Sequence, residues 1–567
     1  MSHWGSNRLF LCRWLLIAAF LAIAGHLYVI QVLQGPAYAV QARQISAQEV
    51  VLEDYMRGEI VDRNGVPLSG GYHANRVAVF PGLMDDKEHT LRTLSGILDI
   101  RYDQLLQQAG GGAFLTSVPS AGAQQSVLRR NGLPGVFLLP VYQRYGPAPL
   151  AAHITGHLGK IESMEQLRRL RSENKKHYAL GDWVGKSGLE YFYEGELKGQ
   201  GPARAAYVTH DALGRIIKGP GLIVTNAGPD PARKNVKTTI DAQVQRVVEE
   251  VMDAHIFQGA VVVMRAGGGD ILAMASRPGY HPSPARVEDC LRRPAGEIFL
   301  DRCTALFQPG SVFKVVLAAA ALERESVFHQ NTYNCAGSDA EPVHCWFEQG
   351  HGAINFADAF AHSCNPAFVQ LGQELGPDTI VKYATGLGLD KQNIIGYPAQ
   401  PEFKQDLSLV GKDYNLANSS IGQGPVLVTP VQVTAMMNAI VSGGTYHAPQ
   451  LVAGLTDAEN RMVYRIDAPE PLRALKPATA DRLQEILRRV TASGVGKKAE
   501  LPGWGTAGKT GSAEVAGPND TVNAWFTGYA PADTPRFVIT VLVQGGQSGS
   551  ETAAPVFRTI VEKLMLL

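Results

Sequence analysis

Leu9 to Leu33 reads LFLCRWLLIAAFLAIAGHLYVIQVL, and this run restricts the fold more than any other stretch. Backbone polar groups in lipid find no water, so a lone apolar span has to be helical. Roughly 20 apolar residues cross a bilayer, and Trp14 to Ile30 is interrupted only by Gly25 and His26. Arg13 can snorkel to the interface. Arg8 and Arg13 both precede the apolar stretch, which predicts a cytoplasmic tail (1–8), a transmembrane helix (9–33) and an exported remainder. A cleaved signal peptide is the competing reading, with Ala22-Ile23-Ala24 as a cleavage site. The apolar run continues past that site through Leu27-Tyr28-Val29-Ile30, which favours an uncleaved anchor.

The chain beyond the anchor is long enough for several domains. Lys+Arg and Asp+Glu are equal at 52 each, so no basic surplus points to nucleic acid. The six cysteines do not make a disulfide scaffold in a chain this long. Cys335 and Cys345 lie in NCAGSDAEPVHCW, with His344 and His351 close by. Their spacing fits no common metal pattern, so a disulfide or two idle thiols is expected rather than zinc.

No internal repeat is present. Gln41 to Glu53 is polar and reads as a connecting stalk. In RGEIVDRNGVPLSG (Arg57 to Gly70), Asn64-Gly65 favours a tight hairpin. TNAGPDPARKN (Thr225 to Asn235) is Gly/Pro-rich and unpatterned, and reads as a linker (225–235) between domains at 34–224 and 236–567. In the second domain, GAVVVMRAGGGDILAMAS reads as two strands joined by a Gly-rich hairpin. Val312–Glu323, Ala357–Leu375 and Thr429–Ser442 read as helices. Asn523–Ala530 and Phe537–Val543 read as strands before a closing helix, Ala553–Leu566. Strands at both ends with helices between predict an α/β (α+β) domain with an antiparallel, helix-covered sheet.

Three short segments carry the chemistry. In FQPGSVFKVVLAAAALE, Ser311 opens a helix and Lys314 stands three residues on. The helix N-terminus favours negative charge at the serine oxygen. Burial favours the neutral amine of the lysine, a plausible general base. One S-x-x-K is weak evidence, because Ser172 to Lys175 repeats it in the charged run RRLRSENKKH, which reads as solvated surface. In HSCNPAFVQLG, Ser363 and Asn365 either converge on a pocket from a tight turn or cap the helix at Pro366. In AGKTGSAEV, Lys509-Thr510-Gly511-Ser512 joins a cation, two hydroxyls and a small glycine, as a carboxylate-binding strand edge needs.

In this order, S-x-x-K, S-x-N and K-T-G are the set shared by penicillin-binding proteins and class A β-lactamases. The chain resembles a class B penicillin-binding protein, a peptidoglycan D,D-transpeptidase. RGEIVDRNGVPLS, GKSGLEYFYEGELKGQ, TTIDAQVQ, SIGQGPVLVTPVQVTAMMNAI and NAWFTGYAP are similar to further family blocks. The resemblance implies a five-stranded antiparallel sheet between helical layers and an elongated N-terminal pedestal. It implies Ser311 as the acylated nucleophile, Lys314 as its base, Ser363 as a proton relay and Asn365 as a holder of the donor amide. Lys509 would supply positive potential, and Thr510 and Ser512 would grip the terminal carboxylate beside Gly511. Backbone N–H groups of Ser311 and Ser512 would form the oxyanion hole.

The expected substrate is a stem peptide ending in D-Ala-D-Ala. β-Lactams would acylate the same serine, and a SEDS-family glycosyltransferase would be the membrane partner. No cofactor, metal or nucleotide is expected. The chain departs from the family in carrying Ser512 where threonine is frequent, and in lacking the threonine of a Gly-Thr-Gly turn in TASGVGKKAE. The rivals are a D,D-carboxypeptidase or β-lactam hydrolase, in which water takes the acyl group, and a non-catalytic β-lactam sensor or scaffold.

Overall fold

In the second half of the chain, runs of β-branched and small residues pair into one sheet with both faces covered. Its strands are β1 (Gly259–Arg265), β2 (Ile271–Arg277), β3 (Ala507–Val515), β4 (Thr521–Ala530) and β5 (Phe537–Gly546). The order is β2-β1-β5-β4-β3, every pairing antiparallel. This computed structural model describes residues 3–35, 38, 47–53, 57–116, 122–200, 204–209, 222–225, 230–292, 297–325, 332–398, 405–412, 415–515 and 521–567.

The helices that cover the sheet are α1 (Ala242–His255), α2 (Lys314–Glu323), α3 (Phe356–Ala361), α4 (Asn365–Leu375), α5 (Pro430–Val441), α6 (Pro477–Ala492) and α7 (Ala554–Leu564). The strand period of two sorts the core. Val261 and Val263 face a cluster that includes α1 and α7, whereas Ala260, Val262 and Met264 face one that includes α2 and α5. Helix α2 is buried from Lys314 to Ala321, so its lysine starts an all-round apolar rod.

Two compact units are interleaved along the sequence. One comprises 1–54, 72–143 and 201–229; the other comprises 55–71, 144–200 and 230–567. This differs from a single cut at 225–235. Asn235 already belongs to a strand, Asn235–Thr238, that pairs in parallel with Ile60–Val61. Its side-chain Oδ1 accepts from the Glu59 N–H at 2.8 Å. Linker residues 226–229 lie outside the described residues. In the first unit, Tyr72–Val79 pairs with Val136–Gln143. Ala47–Val51 pairs with Ala205–Thr209, so this part of the expected stalk is a strand, with Val50 and Leu52 buried in a small core. Stalk positions 41–46 lie outside the described residues.

The N-terminal run is helical over His3–Tyr28 and continues as a π turn to Leu33. Leu11–Leu33 has no buried residue and is long and apolar enough to cross a membrane.

Two sequence blocks far apart meet in the second unit through buried charge. Arg57 donates to Glu190 and to Glu194, both at 2.7 Å, and Arg144 donates to Glu190 at 2.6 Å. Burial opposes the Glu190 charge, yet Arg144 and Arg57 hold its carboxyl below the ordinary value. Asp62 accepts from Asn64 and Val66, closing the expected turn, and from the Ala242 N–H that starts α1. Glu190→Gln leaves two buried guanidinium groups undercompensated. It should cost about 3–5 kcal/mol, read as a lowered thermal unfolding midpoint.

Candidate active site

Ser311 lies on a 3-10 turn, Gly310–Phe313, just before α2. In such a turn residues i and i+3 eclipse, which stacks Ser311 and Lys314 on one side. The turn is held from two sides. Gly310 N–H donates to Gly422 O at 3.0 Å, and Trp525 Nε1 on β4 donates to Gln308 O at 2.9 Å. Gly310 has φ +55°, and a Cβ there would stand 2.6 Å from Ser512 O. Glycine is required where the nucleophile turn abuts the strand.

The long helix expected over 357–375 is split in two. Helix α3 ends at Ala361 and α4 begins at Asn365. Between them Ser363 adopts φ +55°, a left-handed conformation unusual for a serine. The helix-capping reading does not hold, since α4 has no side-chain cap. Instead the Ser363 and Asn365 side chains meet lysines. Lys314 Nζ donates to Asn365 Oδ1 at 2.7 Å, to Ser363 O at 2.8 Å and to Ser363 Oγ at 3.4 Å. Lys509 Nζ donates to Ser363 Oγ at 2.8 Å and to Thr510 O at 3.2 Å.

Both lysines are fully buried. Among the described residues, neither has a carboxylate partner. Burial therefore pushes the Lys314 amine down to about 7. Burial, with Lys314 adding repulsion, pushes Lys509 well below its ordinary value. The Ser311 hydroxyl makes no hydrogen bond among the described residues.

Strand β3 is the sheet edge beside the turn. Gly511 stands so close that a Cβ would lie 2.5 Å from Pro309 O and 2.9 Å from Val312 Cγ2. Thr510 is buried and Ser512 exposed, its Oγ accepting from Gly549 N–H at 3.0 Å. Ser311, Ser363, Asn365, Thr510 and Ser512 line one cleft of about 1340 Å³. An edge with free backbone groups can take an extended peptide as a further strand. The other serine–lysine pair lies elsewhere: Ser172 is exposed and donates to Arg169 O at 2.8 Å.

Sequence reasoning missed several residues of the cleft wall. Trp346, Gln423, Val495 and Glu551 come from separate segments; Gln423 lies within the family-like block SIGQGPVLVTP and Val495 within TASGVGKKAE, but neither was singled out as lining the cleft. Of the two expectations for Cys335 and Cys345, the disulfide is the one that fails, since both are free thiols. Their sulfurs cluster with Cys364 Sγ and a His351 ring nitrogen, all within 4.8 Å of one another. Cys364, between Ser363 and Asn365 in the chain, was not considered with them.

Residues 259–562 match the family described as the penicillin binding protein transpeptidase domain, and 53–220 match the penicillin-binding protein dimerisation domain. Stage V sporulation protein D of Bacillus subtilis is 27% identical, across 96% of this chain and 83% of its own length. The peptidoglycan D,D-transpeptidase MrdA of Haemophilus influenzae is 26% identical, across 89% of this chain and 83% of its own. A solved chain from a peptidoglycan synthase complex that coordinates polymerization and crosslinking shares the fold. It has a TM-score of 0.69 at 23% identity, over 98% of both chains.

Gly511→Val should drive β3 away from Pro309 O. A shift of about 1 Å at a reacting centre costs on the order of a hundredfold in rate, so covalent labelling by a fluorescent penicillin should slow by about that factor.

Proposed function

Since the chain belongs to the penicillin-binding protein transpeptidase family, we propose that it is a membrane-anchored peptidoglycan D,D-transpeptidase working through a serine acyl-enzyme. The observation that carries this reading is the meeting of the three motif segments around two buried amines at one cleft.

The reaction is an acyl transfer. The Ser311 hydroxyl loses its proton to the neutral Lys314 amine and attacks the carbonyl of the penultimate D-alanine. The oxyanion is held by the backbone N–H groups of Ser311 and Ser512, donors worth about 3–4 kcal/mol each where measured. The tetrahedral carbon then expels D-alanine, whose amine takes a proton relayed through Ser363. An acceptor amine attacks the ester next, regenerating Ser311 and closing the cross-link. Asn365 orients the donor amide. Thr510 and Ser512 bind the terminal carboxylate, Gly511 lets the strand close in, and Lys509 supplies positive potential once the incoming carboxylate offsets the burial that lowers its pKa. A β-lactam carbonyl enters along the same path and stays on the serine.

The anchor is Leu11–Leu33. The basic residues Arg8 and Arg13 support a cytoplasmic N-terminus, which puts the catalytic domain outside the membrane. A chain similar in fold comes from a peptidoglycan synthase complex, and the proposal includes a glycosyltransferase of the SEDS family as partner.

Ser311→Ala should abolish labelling by fluorescent penicillin; a labelled Ser311→Ala protein would remove that hydroxyl from the nucleophile's role. In the native protein, slow release of the label fits a transpeptidase and fast turnover a hydrolase. The base must be unprotonated, and burial brings Lys314 down to about 7. The acylation rate should therefore fall about tenfold per pH unit below that value and level off above it. A flat profile from about pH 5 to about pH 9 would exclude an amine of this kind as base.

A further inference from the structure

The strand Met462–Arg465 ends a small sheet, and a cationic groove opens beside it. We infer that this edge and groove dock an extended acidic segment of a partner protein by strand addition. The inference stands independently of the acyl-transfer reading.

The sheet runs Met462–Arg465, Val452–Thr456, Asn235–Thr238, Ile60–Val61. Met462–Arg465 pairs with Val452–Thr456 on one side and has no partner strand on the other among the described residues. Met462, Val463 and Tyr464 are 41%, 51% and 60% exposed. Proteins usually blunt such an edge with charge, proline or a cover; here three large apolar side chains in a row meet water. The edge is fixed at both ends. Asp457 Oδ1 accepts from the N–H groups of Glu459 at 3.0 Å and Arg461 at 2.9 Å, closing the turn before the strand. Beyond the strand, Ile466 N–H donates to Ala453 O at 2.9 Å, and Gln450 Nε2 donates to Ile466 O at 2.8 Å. An edge ordered in advance spares an incoming chain part of the cost of binding.

The groove, of about 400 Å³, carries Arg63, Lys237, Arg265 and Arg465 against Asp270 and Asp467. Four cations against two carboxylates leave an excess of two positive charges there, in a chain whose charges balance overall. Asp270 is shared between Arg265 at 3.0 Å and Arg63 at 4.0 Å. Lys237 and Arg465 make no ion pair among the described residues. The register puts them together: Lys237 is opposite Gly454 on one side, and Arg465 is opposite Gly454 on the other. Residues opposed across a sheet share a face, so the two cations flank a glycine that puts no side chain between them.

A peptide laid along Met462–Arg465 takes its affinity from backbone hydrogen bonds and its specificity from alternate side chains. The residue opposite Arg465 joins the face that holds Lys237, where a carboxylate meets both cations, and the guanidinium fork suits a carboxylate. Apolar residues at the other positions cover Met462, Val463 and Tyr464. The occupant is therefore an extended segment in which acidic and apolar residues alternate. Two other occupants fit less well. A second copy paired through the same edge would bring two cationic grooves together. A lipid surface is flat and would cover the exposed strand without entering the groove, where Lys237 is half-buried.

The test uses the full-length chain in detergent and a short fluorescein-labelled peptide of alternating glutamate and valine. Fluorescence polarisation should show saturable binding that high salt weakens. An N-methylated version of the peptide, which keeps the charges but loses strand N–H donors, should bind at least about tenfold more weakly. Arg465→Glu should weaken binding by at least about tenfold, because like charges then face each other. Arg558→Glu, on α7, should leave it unchanged. Should Arg465→Glu fail to fold, the native protein still decides: amide hydrogen exchange over 462–466 should slow when the peptide is added. Absence of saturable binding, equal binding of the N-methylated peptide or by Arg465→Glu, or unchanged exchange over 462–466 would overturn the inference. A dimer in sedimentation that Arg465→Glu dissolves would overturn it in favour of a second copy. Phosphatidylglycerol vesicles held through Arg465, with no binding of the peptide, would overturn it in favour of a lipid surface.

Discussion

Two lysine amines that have no carboxylate partner among the described residues sit at the centre of the cleft, and the surrounding structure makes sense as the means of keeping them there. An isolated ammonium moved out of water costs several kcal/mol, so burial favours the neutral amine. Lys314 is surrounded by an amide oxygen, a carbonyl and a hydroxyl. These accept hydrogen bonds without supplying the full negative charge that would lock the proton on. Lys509 shares the same Ser363 hydroxyl. Ser363 thus bridges the two amines from a left-handed backbone conformation, with both its oxygens accepting from Lys314 and its hydroxyl also from Lys509.

The framework around this pair is a sheet whose edge strand cannot be moved independently of the nucleophile turn. Gly511 and Gly310 face each other across the contact between β3 and the Ser311 turn. Trp525 on the neighbouring strand hydrogen-bonds the backbone just before Ser311. Helices on both faces of the sheet make it rigid. The residues proposed to carry the chemistry lie on one strand edge, one turn and one interhelical break.

Outside the cleft, the buried Arg57–Glu190–Arg144 network explains why two blocks that resemble family signatures are rich in charge. Neither block is a surface feature. One supplies Arg57 and the other Glu190 and Glu194, with Arg144 from a third segment, and the set is tolerable in the interior only when complete. All three segments belong to the unit that holds the sheet.

Features that depend on neighbours in the chain were legible without coordinates. The apolar N-terminal run and the strand and helix periodicities follow from local pattern, because helices and strands are short-range solutions to backbone hydrogen bonding, whereas Ser311 and Lys314 stood out from Ser172 and Lys175 only through the motifs that follow them. The family motif order also tied the three segments together. Local pattern failed where a distant partner decided. Residues 47–51, read as part of a polar stalk, became a strand because Ala205–Thr209 pairs with them. The turn at 363–365 went to the lysines instead of capping α4, and two cysteines whose spacing fits no metal pattern were joined by a third from the catalytic loop. The sequence by itself determined the apolar N-terminal run, the fold class and the order of the three motifs. Only the tertiary structure decided which oxygens face each amine and which sulfurs meet, because such contacts form between segments whose separation along the chain carries no record of their distance in space.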